Sequence, residues 1–164
     1  GMKLIVREGS AAKNFDALSP LIMKYADQCM FCSDDKHPDD LVSDHIDGLV
    51  RKALQMGIDV MSVLKCACIT PVIHYGLDAG LLRVGDRADF IEVDNLECFN
   101  VLRTFINGEV VAEHGKTLLP HVSVPFINKF YVNEKRVSDF FIKDMGKPVN
   151  VIEVMNEQVV TDRM

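Results

Sequence analysis

The chain has 164 residues, enough for a domain with its own core, and its 48% apolar and 26% charged residues are the balance of a globular protein. A net charge of −6 and a pI near 5.3 argue against a nucleic-acid partner, because an acidic surface repels phosphates. No apolar run approaches the ~18 residues of a bilayer span and no signal-type leader opens the chain, so a cytoplasmic protein with no membrane partner is expected.

In chain order, Lys3 to Val6 is predicted as a short apolar strand, followed by the loop Arg7-Glu8-Gly9-Ser10. Ser10 is placed to cap a helix from Ala11 to about Leu18. A second helical piece, Pro20 to Ala26, carries Leu21, Ile22 and Tyr25 at helical spacing. Cys29 to Ser33 is a second short strand whose apolar run predicts burial on both faces. After the polar loop 34–38, apolar residues at intervals of three and four predict one long helix from Pro38 to Met56, ended by Gly57. A helix over Val60 to Cys68 follows, and Thr70-Pro71 opens another that ends near Gly76.

The pattern then changes to short strands: Ala88 to Val93, and Val101 to Ile106 with Glu109 to Ala112 flanking the hairpin dipeptide Asn107-Gly108. From Leu118 the pattern weakens, 126–138 is ambiguous, and Val149 to Val160 is expected to contain strands. The expected division is 1–79, 80–125 and 126–164, in an α/β chain. Two consecutive β/α units are too few to close a barrel alone, so the chain reads as a domain pair cut from something larger. Gly1 ahead of Met2 reads as a residue left by tag removal.

The five cysteines, an odd number with no secretory context, argue against a disulfide framework. Cys29 and Cys32 form a C-x-x-C pair, but residues three apart on a strand face opposite ways and cannot grip one zinc ion. They are expected to be buried apolar residues.

Chemistry concentrates in the loop after the second strand. Asp34 stands where a parallel strand ends, the usual place of functional groups in α/β folds, and a carboxylate there can bind a metal or take a proton from water. The alternative is that Asp34 or Asp35 caps the next helix, with Asp39 and Asp40 complementing its dipole. His37 lies on the same loop, His45 on a helix face, and His74, His114 and His121 have no ligand spacing.

Arg7-Glu8-Gly9-Ser10-Ala11-Ala12 resembles the R-E-G-S-A-A segment of bacterial adenine deaminases of the amidohydrolase superfamily. Phe31-Cys32-Ser33-Asp34-Asp35-Lys36-His37-Pro38-Asp39-Asp40-Leu41 resembles their F-C-[ST]-D-D-[RK]-H-P-D-D-L segment. His45-Ile46-Asp47, Val50-Arg51-Lys52-Ala53, Gly85-Asp86-Arg87-Ala88-Asp89 and Phe105-Ile106-Asn107-Gly108 continue the likeness in order, with Asp44 and Val84 replacing a usual glycine and proline.

The resemblance implies the last two β/α units of a distorted TIM barrel, followed by part of a small β-sandwich domain. It also implies hydrolysis of adenine to hypoxanthine and ammonia with a pair of divalent ions, manganese or iron. Asp34 would be metal ligand and proton shuttle, with Asp35 the runner-up. Arg7, Glu8 and Ser10 would face the same pocket and contact the purine, or else brace the barrel mouth by charge pairing and capping.

The family's H-x-H pair is absent from the chain. The expectation is therefore a fragment missing residues at both ends, inactive alone, stably binding no metal, and self-associating into a homo-oligomer through exposed strand edges. A degenerate interaction module and one half of a split deaminase are the competing readings.

Overall fold

A computed structural model describes residues 1–155 and 159–163. It opens with β1 (Leu4–Arg7) and β2 (Cys29–Cys32), paired in parallel from Leu4↔Cys29 to Arg7↔Cys32. Parallel pairing needs a crossover, and α1 (Phe15–Tyr25) supplies it, turning Phe15, Ser19 and Ile22 inward. Two predicted helical pieces are here one helix. Pro20 sits inside it without an N–H to give back to Asp16, and the Ser19 hydroxyl donates to the Asp16 carbonyl at 3.3 Å instead. The expected start at Ala11 is also corrected. Residues 11–14 are held off helix by a backbone bridge between Glu8 and Lys13, and by Asn14, whose side chain accepts from the Arg7 N–H at 2.7 Å.

The long helix expected from Pro38 to Met56 is broken into α2 (Pro38–Leu41) and α3 (Ile46–Gln55). Leu41 and Val42, which completed the apolar period, are exposed and contribute nothing to the core. The chain turns at Ser43 and Asp44, whose N–H groups both return to the Asp40 carbonyl. Polar partners fix the break: Lys36 pairs with Asp44, and the His45 N–H donates to Asp47 Oδ1 at 2.8 Å.

After α4 (Val60–Leu64), capped by Asp59 accepting from the Ser62 N–H at 2.9 Å, a wide π-type turn over Lys65–Ile69 runs straight into α5 (Thr70–Tyr75). The two helices expected here are thus nearly continuous, and Gly76, in the left-handed region, ends them. Val6, Phe15, Ile22, Phe31, Leu49 and Val63 are the heart of the core between these helices and the strand pair.

The second sheet is antiparallel, in the order β3 (Phe90–Val93), β4 (Val101–Ile106), β5 (Glu109–Glu113) and β6 (Lys116–Thr117). Asn107 and Gly108 both take positive φ, 52° and 80°, as a two-residue hairpin turn of matching twist requires. Phe90 and Phe105 stack across the β3–β4 pair with centroids 4.3 Å apart. Phe99, in the β3–β4 connection, is buried in the helical core and joins the two parts.

Residues 118–151 are exposed, and within them a short 3₁₀ turn forms at Val137–Phe140. Within Val149 to Val160, where strands are expected, the described residues hold β7 (Ile152–Val154); it pairs with β8 (Thr161–Arg163), which lies beyond that range, and the part of the expectation at 156–158 lies outside the described residues. No helix among the described residues is long and apolar enough to cross a membrane.

Candidate functional site

The C-terminal ends of β1 and β2 lie side by side, because the parallel register pairs Arg7 with Cys32. Two loops leave from there, Glu8 to Asn14 and Ser33 to His37, and the five residues singled out from sequence all stand on them or at their base. The Glu8 N–H donates to the Cys32 carbonyl at 3.1 Å, so the strands' pairing continues into the loops.

Asp34 adopts a left-handed backbone, φ 46°, with its N–H donating to Cys32 Sγ at 3.2 Å. Arg7 Nη1 donates to its carboxylate at 3.0 Å. Asp35 faces the other loop, accepting from the Ala12 N–H at 3.1 Å and the Ala11 N–H at 3.3 Å. These amides, Ala12 first, hold its carboxyl below the usual carboxylate range. Gly9 makes room for this cross-loop brace, since a Cβ there would lie 1.9 Å from Asp35 Oδ1. Asp34 therefore presents its carboxylate beside a cation, while Asp35 is occupied in tying the loops together.

Ser10 does not cap a helix of its own. Its hydroxyl donates to Asp40 and accepts from the His37 N–H at 2.9 Å, so it fastens the first loop to the start of α2. Glu8 Oε2 takes the Lys52 ammonium at 3.1 Å, and Lys52 also reaches Asp16 at 3.0 Å and lies 4.7 Å from the Phe15 ring centre. Partial burial pulls the Lys52 ammonium down, but Asp16 and Glu8 outweigh it and hold it above its ordinary value. Ser33 Oγ and His45 Nε2 share a hydrogen bond at 3.0 Å.

A polar depression of about 290 Å³ lies between these loops and the α2–α3 break; Glu8, Ser10, Lys13, Lys36, Asp40 and Asp44 are among its lining. Arg7 and Asp34 stand outside it. The site thus gathers Arg7 with Asp34, and Glu8 with Ser10, as two neighbouring groups. Lys52, Asn14 and the Lys36–Asp44 pair escaped the sequence reading. Lys52 lies in a word that carries the resemblance, yet nothing in its spacing marks partners on another loop.

The cysteines are free. Cys29 and Cys66 are buried, and burial pushes the Cys66 thiol up to about 12, with neighbouring Cys29 adding to the rise. Among the described residues, no group of three or more His, Cys, Asp or Glu side chains is placed to hold a metal ion.

The profile of the Amidohydrolase family matches residues 4–111. The chain is 50% identical to an adenine deaminase of Salinibacter ruber over 161 residues, which is 98% of the chain and 30% of that protein. It is 49% identical to an adenine deaminase of Sulfurovum sp. over 99% of the chain and 30% of the relative. An adenine deaminase of Methanosarcina acetivorans is 52% identical over 82% of the chain and 24% of its own length. The chain spans about 30% of the length of the first two relatives, and no solved structure matches it. With the family profile covering well over half of the sequence, the chain belongs to the amidohydrolase family.

Proposed function

We propose that this chain is part of an adenine deaminase, a longer cytoplasmic polypeptide that hydrolyses adenine to hypoxanthine and ammonia, and that the chain alone is inactive. The observation that carries this reading is 50% identity to an adenine deaminase over 98% of the chain and only 30% of the relative. The structure supports it by setting Asp34 beyond the C-terminal end of β2, next to Arg7 at the end of β1, where α/β enzymes carry their chemistry.

In this reading β1 and β2 with their helices are the last two β/α units of a TIM barrel, within 1–79. Residues 80–125 are part of a small β-sandwich, and 126–164 lead toward a further domain. The parallel β1–β2 pair and the antiparallel β3–β6 meander support that division.

Asp34 accepts a proton from the attacking water and passes it to the purine or to the leaving ammonia. Asp35 is the weaker candidate because Ala11 and Ala12 already engage it. Arg7 is the purine contact best placed beside Asp34, while Glu8 and Ser10 would have to exchange Lys52 and Asp40 for substrate. The family's divalent ion pair does not fit the donors among the described residues as a complete centre: Asp34 offers one carboxylate, already charge-paired. The remaining donors belong to polypeptide outside the chain.

A second reading, an association module forming homo-oligomers, is favoured by the exposed apolar side chains beyond β6, Phe126, Phe130, Val137 and Phe141 among them.

The test is a chimera in which this chain replaces the matching segment of the Salinibacter ruber enzyme. It is expected to release ammonia from adenine with added manganese or iron, and Asp34→Asn is expected to lower the rate at least ~100-fold. The isolated chain should release none. A well-folded chimera without activity, or turnover by the isolated chain that Asp34→Asn abolishes, would count against the proposal.

A further inference from the structure

We infer that Arg7 serves as the cation of Asp34 in this chain and keeps that carboxylate closed to divalent metal ions. The inference rests on Asp34 being the metal-ligating carboxylate of the reading above.

Both partners are set by backbone rather than by chance surface encounter. Arg7 is the last residue of β1; its N–H donates to Asn14 Oδ1 at 2.7 Å and its carbonyl accepts from the Asn14 N–H at 3.1 Å. Asp34 is turned by its left-handed φ of 46° and anchored through Cys32 Sγ, so its carboxylate meets Arg7 while Asp35 points to the opposite loop. Both side chains remain about a third exposed, at 36% and 29%, so a solvated ion has access.

The pairing uses one guanidinium nitrogen and one oxygen, not the two-pronged fork of the strongest arginine–carboxylate pairs. An ion approaching Asp34 meets a fixed positive charge, and the neighbouring Asp35 carboxylate is already engaged on the Ala11 and Ala12 amides. Within this chain one carboxylate cannot repay the ion's lost water against that repulsion. An assembly bringing further ligands can displace so loose an arginine, which then stands free beside the bound ion.

The experiment follows Mn²⁺-induced paramagnetic broadening, residue by residue, in the ¹⁵N-labelled 164-residue chain. Asp59 and Asp144 serve as exposed carboxylates remote from Arg7 in sequence. In the unsubstituted chain the Asp34 amide should broaden no more than those references. Arg7→Met and Arg7→Gln should each raise broadening at Asp34 about threefold to tenfold, the effect of removing one screened charge a few ångströms away. Asp34→Asn added to either should return it to the reference level, and Asp34→Asn alone should leave the Mn²⁺ pattern unchanged.

Equal broadening with and without Arg7 would overturn the inference. So would selective broadening at Asp34 in the unsubstituted chain that Asp34→Asn removes, a result readable even if neither Arg7 variant folds. Retained activity of the Asp34→Asn chimera would instead remove the metal-ligand reading while leaving the Arg7 effect on Mn²⁺ standing.

Discussion

Lys52 Nζ lies 3.1 Å from Glu8 Oε2 although 44 residues separate them, and the same ammonium holds Asp16 and covers the ring of Phe15. One side chain on α3 thereby fixes the loop that leaves β1 against the first turn of α1.

Lys52→Met should destabilise the chain by about 1 kcal/mol, a modest cost because the ion pairs are part-exposed and screened, with the ring contact adding to it. Lys52→Arg, which keeps the charge, should cost less. Urea unfolding measures both, and a Met variant as stable as the parent would show that this triad contributes nothing.

Gly9→Ala should cost about 2 kcal/mol, since the new methyl displaces Asp35 from the Ala11 and Ala12 amides and crowds the Asp35 N and Ala12 O. Part of that penalty belongs to the Asp35 side chain. In an Asp35→Ala background the cost of Gly9→Ala should therefore shrink, and strict additivity in the double-mutant cycle would refute the brace.

Acid stability should be governed by carboxylates held by donors. Arg83 donates to Asp86 at 2.9 Å and the Leu81 N–H does so at 2.9 Å, holding its carboxyl at about 2 rather than the ordinary 3.8. Asp35, Asp89 and Asp94 move in the same direction, through the amide of Ala12, the amide of Asn107 and the side chain of Asn100 respectively. A carboxyl with a lowered folded pKa contributes its full stabilisation above its unfolded value and loses it as pH falls through the folded one. As far as these groups are concerned, the urea midpoint should hold from pH 7 to about 4 and fall between about 4 and 2, with a shallower fall in Asp86→Asn. A midpoint that rises on acidification through that window would contradict the assignment.

Thiol labelling should sort the cysteines by burial. Iodoacetamide at pH 8 should modify exposed Cys98 in the folded chain and spare Cys29 and Cys66 until urea unfolds it. Cys68, exposed but raised by its apolar surroundings, should react more slowly than Cys98. Peptide mass mapping reads the order, and early labelling of Cys66 would mean that the β2–helix packing is wrong.

Local chemistry was legible wherever one short stretch decides its own conformation. The strand at Leu4–Arg7, the apolar strand at Cys29–Cys32, the turn at Asn107-Gly108 and the helix end at Gly76 follow from residue type and immediate neighbours. Periodicity failed at Leu41 and Val42, whose apolar spacing continues a helix that Asp44, Lys36 and His45 interrupt. It failed again at Pro20, where a serine hydroxyl rescues the carbonyl that proline leaves without a donor.

The sequence by itself determined the order of elements, the family words and the two loops that carry the candidate chemistry. Tertiary structure alone decided which partners each of the two adjacent aspartates meets. The distinction depends on groups more than twenty residues away: the guanidinium of Arg7 for Asp34, the amides of Ala11 and Ala12 for Asp35. Sequence patterns report neighbours along the chain, whereas a carboxylate's charge and partners are set by whatever the fold brings within a few ångströms.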